Sequence, residues 1–266
     1  MFEIGFLNVA WWAPVTFFLI SGHLTNVATT VYLHRAMTHR GVRLHGLVSF
    51  PMRLWLWLST GTVTREWVAC HRRHHAYADR EGDPHSPVLE GLSAIVFRGW
   101  AYYRHAVKDK TLIEQYGKHT PNDWFERNIF SKFSYFGVLI LLIIDVVLFD
   151  FAWGFGLWAG QVIWMPFLGG LVNGVGHAWG YRNYFLKDSS RNFFPFGLLL
   201  GGEELHNNHH ADPRSAKFRR RWFEFDVGWV YIKLLSLVRL AKIEYAAASL
   251  GPYFQRERAV ADAPEV

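Results

Sequence analysis

The chain has a single cysteine, Cys70, among 266 residues. An internal disulfide and a thiolate metal cluster are both excluded by that count. Charge is scarce too: Asp, Glu, Lys and Arg make up 19% of the chain, against 51% hydrophobic and 17% aromatic residues. Cations are missing altogether from two long stretches. All 28 Lys and Arg fall within 34–132 and 182–266, and none lies in 1–33 or 133–181. The first residues carry no basic n-region and no small-residue cleavage site, so 1–33 does not read as a signal peptide. Repeats and low-complexity linkers are absent as well. The expectation is one domain over 1–253, followed by a polar, disordered tail at 254–266.

The two cation-free stretches are also the long apolar ones. Basic residues collect on the cytoplasmic side of membrane proteins, so the net charge of +6 reads as topology and not as a nucleic-acid footprint. Residues 9–33 are long enough to cross a bilayer as one helix of about 20 residues, with Trp11 and Trp12 placed as an interfacial anchor. Residues 133–177 can cross twice, as 133–153 and 157–177, with a turn suggested by Asp150, Gly154 and Gly156. Asp145 falls inside the first of these, where an acid needs a partner or the interface. Residues 44–69 are apolar but broken by Pro51, Arg53 and Gly61, and too short for two crossings. They are expected to lie in-plane or to re-enter. Residues 226–243 resemble an amphipathic helix on the membrane surface. The fold class expected is an all-α integral membrane protein with about three transmembrane helices, the N-terminus outside, and a cytoplasmic helical cap built from 34–132 and 178–253.

Nine of the fourteen histidines stand in groups. His34 and His39 form HxxxxH directly after the first span. His71, His74 and His75 form HxxHH, and His206, His209 and His210 form a second HxxHH. His177 ends the last span, four residues after Asn173. Positions i, i+3 and i+4 share one helix face, so each HxxHH can aim three imidazoles at one point, and Asn173 shares a face with His177. On a regular helix His34 and His39 stand about 140° apart, which suggests that His39 approaches from a turn beyond the helix end. One such pair on a helix is ordinarily a solvated or capping pair; the whole set on one side of the membrane points to a metal centre. His23, His45, His85, His105 and His119 lack partners at ligand spacing and read as structural or exposed.

Imidazole shells suit Zn, Cu, Fe or Ni. Nine exceed what one ion takes, so ligand count favours two irons. Bound iron with open positions activates O2, the oxidant needed to attack an unactivated C–H bond. Glu66, Asp79, Asp83, Glu203, Glu204 and Asp212 are near enough in sequence to orient ligating imidazoles.

At these residues the sequence resembles the membrane fatty acid desaturase family, in particular the acyl-CoA Δ9 desaturase group. HRAMTHR resembles its first box, HRRHH with DPHSP its second, GGEELHNNHH its third, and NGVGH its additional Asn-x-x-x-His element. The likeness runs from about residue 9 to 245. It implies that all nine histidines bind iron and that Asn173 meets one iron through a water. It also implies insertion of a cis double bond into a saturated acyl chain with O2 and two electrons. No fused electron carrier is visible, so a separate donor of ferredoxin, rubredoxin or cytochrome b5 type is implied. SPVLEGLSAIVFRG after DPH departs from the animal acyl-CoA enzymes, which leaves an acyl-lipid substrate open beside acyl-CoA. The rivals are a di-iron alkyl hydroxylase, disfavoured by the HxxxxH spacing, and a non-enzymatic metal transporter. The transporter is disfavoured because the spans offer only His23 and Asp145 as ionisable groups.

Overall fold

A computed structural model of the chain describes residues 3–4 and 9–250; the tail expected to be disordered lies outside the described residues. A short antiparallel pair, β1 (Glu3–Ile4) with β2 (Val9–Ala10), precedes helix α1 (Trp12–Val27). Helix α1 continues without a break into a π-helix, Ala28–Thr38. Val15, Leu19, Ile20 and Leu24 are exposed along α1, whereas Val27, Ala28 and residues 30–36 are buried. The first apolar segment thus has a bare lower half and a jacketed upper half.

Helices α2 (Gly46–Thr60) and α3 (Thr64–Tyr77) form a hairpin closed at Gly61. Gly61 has φ 65°, and a Cβ there would press on the Ser134 carbonyl, so the tight reversal requires glycine. The apolar segment 44–69, expected to lie in-plane or to re-enter, therefore doubles back at Gly61. Indole Trp55 donates to Thr25 at 2.8 Å and Trp57 donates to the Phe133 carbonyl at 3.1 Å. The turn is thereby seated between the first and later apolar helices.

After short helices α4 (Pro87–Glu90), α5 (Leu92–Ala106) and α6 (Lys110–Tyr116) comes α7 (Ser134–Ala178). Among the described residues, α7 is the one helix long and apolar enough to cross a membrane. It is not straight. Asp150 takes φ 64°, ψ 177°, and its carboxylate accepts from the amides of Ala152 and Trp153 at 3.0 and 3.3 Å, capping a second arm. Trp158 donates to the Val138 carbonyl at 2.9 Å, although twenty residues of straight helix would hold them about 30 Å apart. The arms 134–149 and 151–178 therefore fold back on each other at Asp150. At Gly154 a Cβ would meet the Asp145 backbone, so the arms cross with nothing between them. Asp145 is fully buried there, and neither carboxylate oxygen has a hydrogen-bond partner among the described residues. The second arm packs along α1, with Gln161 donating to Ser21 at 2.9 Å. Higher up, Gly170 and Gly174 let α5 approach closely at Val96.

The remaining chain wraps the upper end. Helix α8 (His206–Ala211) carries the third histidine group, and α9 (Val227–Leu237) lies beside α1, where Tyr231 and His23 meet at 2.8 Å. The amphipathic helix expected over 226–243 stops early. Arg239 adopts φ 59°, and Ala241–Ile243 becomes a strand, β6, paired antiparallel with β3 (Val42–Leu44). A third ladder joins β4 (Phe196–Gly197) to β5 (Phe225–Asp226). Apolar packing centres on the π-helix: Val31 and Ala36 meet Ile232 and Ala216 on one side, while Tyr32 and Leu33 meet Leu56 on the other.

One buried ion pair locks this arrangement. The Arg35 guanidinium grips Asp226 at 2.8 and 3.1 Å, donates to the carbonyls of Ala216 and Gly201, and lies 3.7 Å from the centre of the Phe218 ring. Asp226 in turn accepts from the amides of Phe218 and Trp229, capping α9. Removing one member of such a pair costs about 3–5 kcal/mol because the other is left charged and buried. Asp226→Ala should therefore lower the thermal unfolding midpoint of the solubilised protein markedly. Arg43→Ala, whose partner Glu244 is at the surface, should cost less than about 1 kcal/mol; circular dichroism on both variants checks the contrast.

Candidate metal centre

The nine grouped histidines converge. His34, His39, His71, His75 and His209 form one cluster, and His74, His177, His206 and His210 form another, with the potential ligand atoms of each within 4.8 Å of one another. The four supporting elements are the π-helix, α3, the end of α7, and α8. The HxxHH groups do not aim three imidazoles at one point as expected, because each is split: His74 faces the four-histidine cluster while His71 and His75 face the other. His206 and His210 likewise separate from His209. One helix face therefore lies between two centres and feeds both.

The first group departs from expectation in its means. His39 does not reach the cluster from an independent turn. It closes a π-helix, its amide donating to the His34 carbonyl at 3.1 Å. The i→i+5 bonding of a π-helix widens each turn and brings residues five apart nearer to one face than an α-helix does, and the two rings lie 4.9 Å apart.

Orientation comes from carboxylates behind the rings. Glu203 accepts from His34 Nδ1 at 2.7 Å, Asp83 from His74 Nδ1 at 3.0 Å, Asp79 from His177 Nδ1 at 2.8 Å, and Asp188 from His210 Nδ1 at 3.1 Å. A carboxylate can only accept, so each of these rings carries a proton on Nδ1 and turns its Nε2 toward the cluster. The Nε2 atoms of His34 and His209 are 3.0 Å apart, those of His209 and His75 2.9 Å, and those of His177 and His206 3.1 Å. With metal–nitrogen bonds of about 2.1 Å, neighbouring ligands lie about 3.0 Å apart in an octahedron and about 3.4 Å apart in a tetrahedron. Nε2 of His39, His74 and His210 is buried without a hydrogen-bond partner among the described residues. Lone pairs gathered at this spacing, with buried nitrogens otherwise unpaired, fit metal ions of high coordination number.

Three orienting acids expected from the sequence are in place: Asp79, Asp83 and Glu203. Glu204 instead gathers the amides of Leu199, Leu200 and Gly202, Asp212 accepts from Tyr245, and Glu66 has no imidazole partner among the described residues. Asp188 was missed because it lies eighteen or more residues from the third group. Its only signal is the polar run 187–192. Asn207 and Asn208 were also passed over. Asn207 binds the backbone of Asn183 and Tyr184, and Asn208 donates to Glu224 at 2.9 Å, so the two residues between the third-group histidines clamp α8 in place. His85, expected to be structural, is buried and stacked on His74 at 4.5 Å. His45 caps α2, and His105 and His119 are exposed. Asn173 is half-buried one helical turn before His177.

The comparisons with known proteins agree with this geometry. The profile described as Fatty acid desaturase matches residues 10–256. The chain belongs to the fatty acid desaturase family. It is 30% identical to the Delta-9 desaturase-like 4 protein of Arabidopsis thaliana, over 86% of this chain and 76% of that protein. It is 28% identical to Delta-9 acyl-lipid desaturase 2 of the same plant, over 87% and 73%. The sn-1 stearoyl-lipid 9-desaturase of Synechocystis sp. is 29% identical over 88% and 72%. This desaturase is accordingly an oxidoreductase with histidine groups able to hold metal.

Burial, reinforced by neighbouring imidazoles, pushes His39, His71, His75, His206, His209 and His210 of the desaturase well below the ordinary histidine range. Neutral rings are what metal binding needs. Burial opposes ionisation of Asp79 and Asp83, but charge and hydrogen bonds from His177 and His74, with backbone amides, outweigh it and hold both carboxyls below the usual range. In metal-free protein the unfolded chain binds protons on these six histidines below about pH 6.5 and the folded chain does not. Stability should thus be full above that pH and fall as pH drops below it. Urea unfolding of chelator-treated protein between pH 7.5 and 5 checks this, and added metal should move the loss to lower pH.

Proposed function

We propose that the chain is a multi-pass membrane fatty acyl desaturase that uses O2 and two electrons at a di-iron centre to place a cis double bond in a saturated acyl chain. The reading is carried by the two convergent histidine groups, five and four, in a chain of this family. Position Δ9 and an acyl-lipid substrate are favoured by the names of two relatives, a Delta-9 acyl-lipid desaturase and a stearoyl-lipid 9-desaturase, with acyl-CoA the alternative carrier. Electrons come from a separate donor of ferredoxin, rubredoxin or cytochrome b5 type.

The bare apolar faces of α1 and of both α7 arms suit hydrocarbon. The α2–α3 hairpin packs against them, and neither α1 nor α7 carries Lys or Arg. Three crossings with the metal site on the cytoplasmic side satisfy both patterns. The nine histidines are then the iron ligands, and Asn173, one turn before His177 on the same helix, is the residue that would hold a water beside the four-histidine site.

The chain's own residues do three things for the reaction. The carboxylates fix the Nδ1–H form of their rings, so that ligand lone pairs face inward before any metal arrives. Burial keeps the other imidazoles uncharged. The packed π-helix and α8, with the Arg35–Asp226 pair behind them, hold the two clusters side by side and dry. Iron bound there would supply the O2-derived oxidant for C–H attack.

The test is expression of the full chain with a suitable donor, followed by acyl-chain analysis and metal assay. New monounsaturated chains, each two hydrogens lighter, with about two irons per protein, are expected. His74→Ala and His209→Ala should each leave less than about 1% of the product. A gain of one oxygen with no loss of hydrogen would instead identify a hydroxylase.

A further inference from the structure

The two histidine clusters are not equivalent in what stands behind them. In the five-histidine cluster one ring, His34, is backed by a carboxylate, Glu203. In the four-histidine cluster three of the rings are backed: His74 by Asp83, His177 by Asp79 and His210 by Asp188. These acids are themselves tied down. Asp83 also accepts from the amides of Asp79 and His85, Asp79 from Ser86 and the Ser189 amide, and Asp188 from the Ser190 amide. Two loops, 79–86 and 188–190, thus join into one anionic bracket around a single cluster.

We infer that Asp79, Asp83 and Asp188 are positioning residues that make the four-histidine site the more tightly held of two metal sites, filled first and emptied last. This rests on the reading of both clusters as metal sites. The physical reason is twofold. A divalent ion in the bracket is opposed by three nearby negative charges, against one at the other site. Each backing carboxylate also fixes the tautomer and raises the basicity of its ligand, an effect of about 10–100-fold in affinity per partner. Two more such partners are worth about 10²–10⁴-fold by that measure, enough to outweigh the additional imidazole of the other cluster. Asp188 is the most informative of the three. Among the described residues its carboxylate hydrogen-bonds with His210 Nδ1 and the Ser190 amide alone, so changing it disturbs the fewest hydrogen bonds.

The experiment is stepwise removal of ferrous iron from the purified full chain by increasing chelator, with metal per protein counted at each step and the bound iron followed by Mössbauer spectroscopy. Wild-type protein should lose iron in two steps, with about one ion retained after the first. Asp188→Asn keeps an acceptor but removes the charge; it should release the retained ion at about 10-fold lower chelator and alter its spectrum alone. Asp83→Asn should act alike. Glu203→Gln should advance the first step and leave the second in place. Release of both ions in one step from wild-type protein would overturn the inference, as would unchanged retention in Asp188→Asn or loss of the retained ion in Glu203→Gln. Circular dichroism and gel filtration screen for folding, and Asp188→Asn decides if either loop variant misfolds. A two-step release of another metal with the same residue dependence would sustain the bracket while refuting iron. One-step release from an active desaturase would refute the bracket and leave the proposed function standing.

Discussion

Nine imidazoles must be buried, uncharged and aimed inward together, and most of the upper half of the molecule exists to meet that demand. An imidazole in a dry site gives up its hydration, and a bare lone pair facing another is unfavourable unless a cation or proton lies between them. The chain meets this cost with rigid outside contacts. Four rings are held from behind by acids, and the acids are held by backbone amides. The ligand atoms are thus pre-set by contacts that do not themselves need metal.

The elements differ in how they contribute. Helix α3 supplies three rings from one rigid piece, at the cost of serving two centres from one face. The π-helix has a wider turn than an α-helix and so brings His34 and His39 nearer to one face. π-Helices are uncommon, and here apolar packing on both sides, together with the Arg35 guanidinium, supports one of eleven residues. Helix α8 is only six residues long, too short to be stable alone. Asn207 and Asn208 supply from the sides what its length does not.

Below the site the requirements are simpler. Helices α1 and α7 show apolar faces outward and meet each other through glycines and a few hydroxyl and amide contacts. Asp150 folds α7 back, which returns His177 to the level of the other ligands. A straight helix of 45 residues would separate His177 from the chain preceding Ser134 by about 65 Å.

Much of this was legible in the residues themselves. The i, i+3, i+4 spacing marked six of the nine ring positions, and the placement of His34, His39 and His177 at the ends of apolar segments marked the other three, because such patterns survive in the sequence whatever the tertiary packing. The cation-free stretches marked the apolar elements, since bulk hydrophobicity is a local property. Pro51 and Gly61 announced a reversal, as did Asp150 with its nearby glycines. Three matters were decided only by the folded chain. The π-helix at 28–38 has no period of its own in the sequence, because it arises from packing against α2 and α9. The division into five and four could not be read from boxes whose members separate, since a single helix face lies between two centres. Asp188 and Asn208 owe their roles to a loop brought back over α8 from a distant part of the chain. Spacing along the chain determined which rings could act; contacts between segments far apart in sequence decided which rings act together, because orientation in a buried site is set by what stands behind each ring.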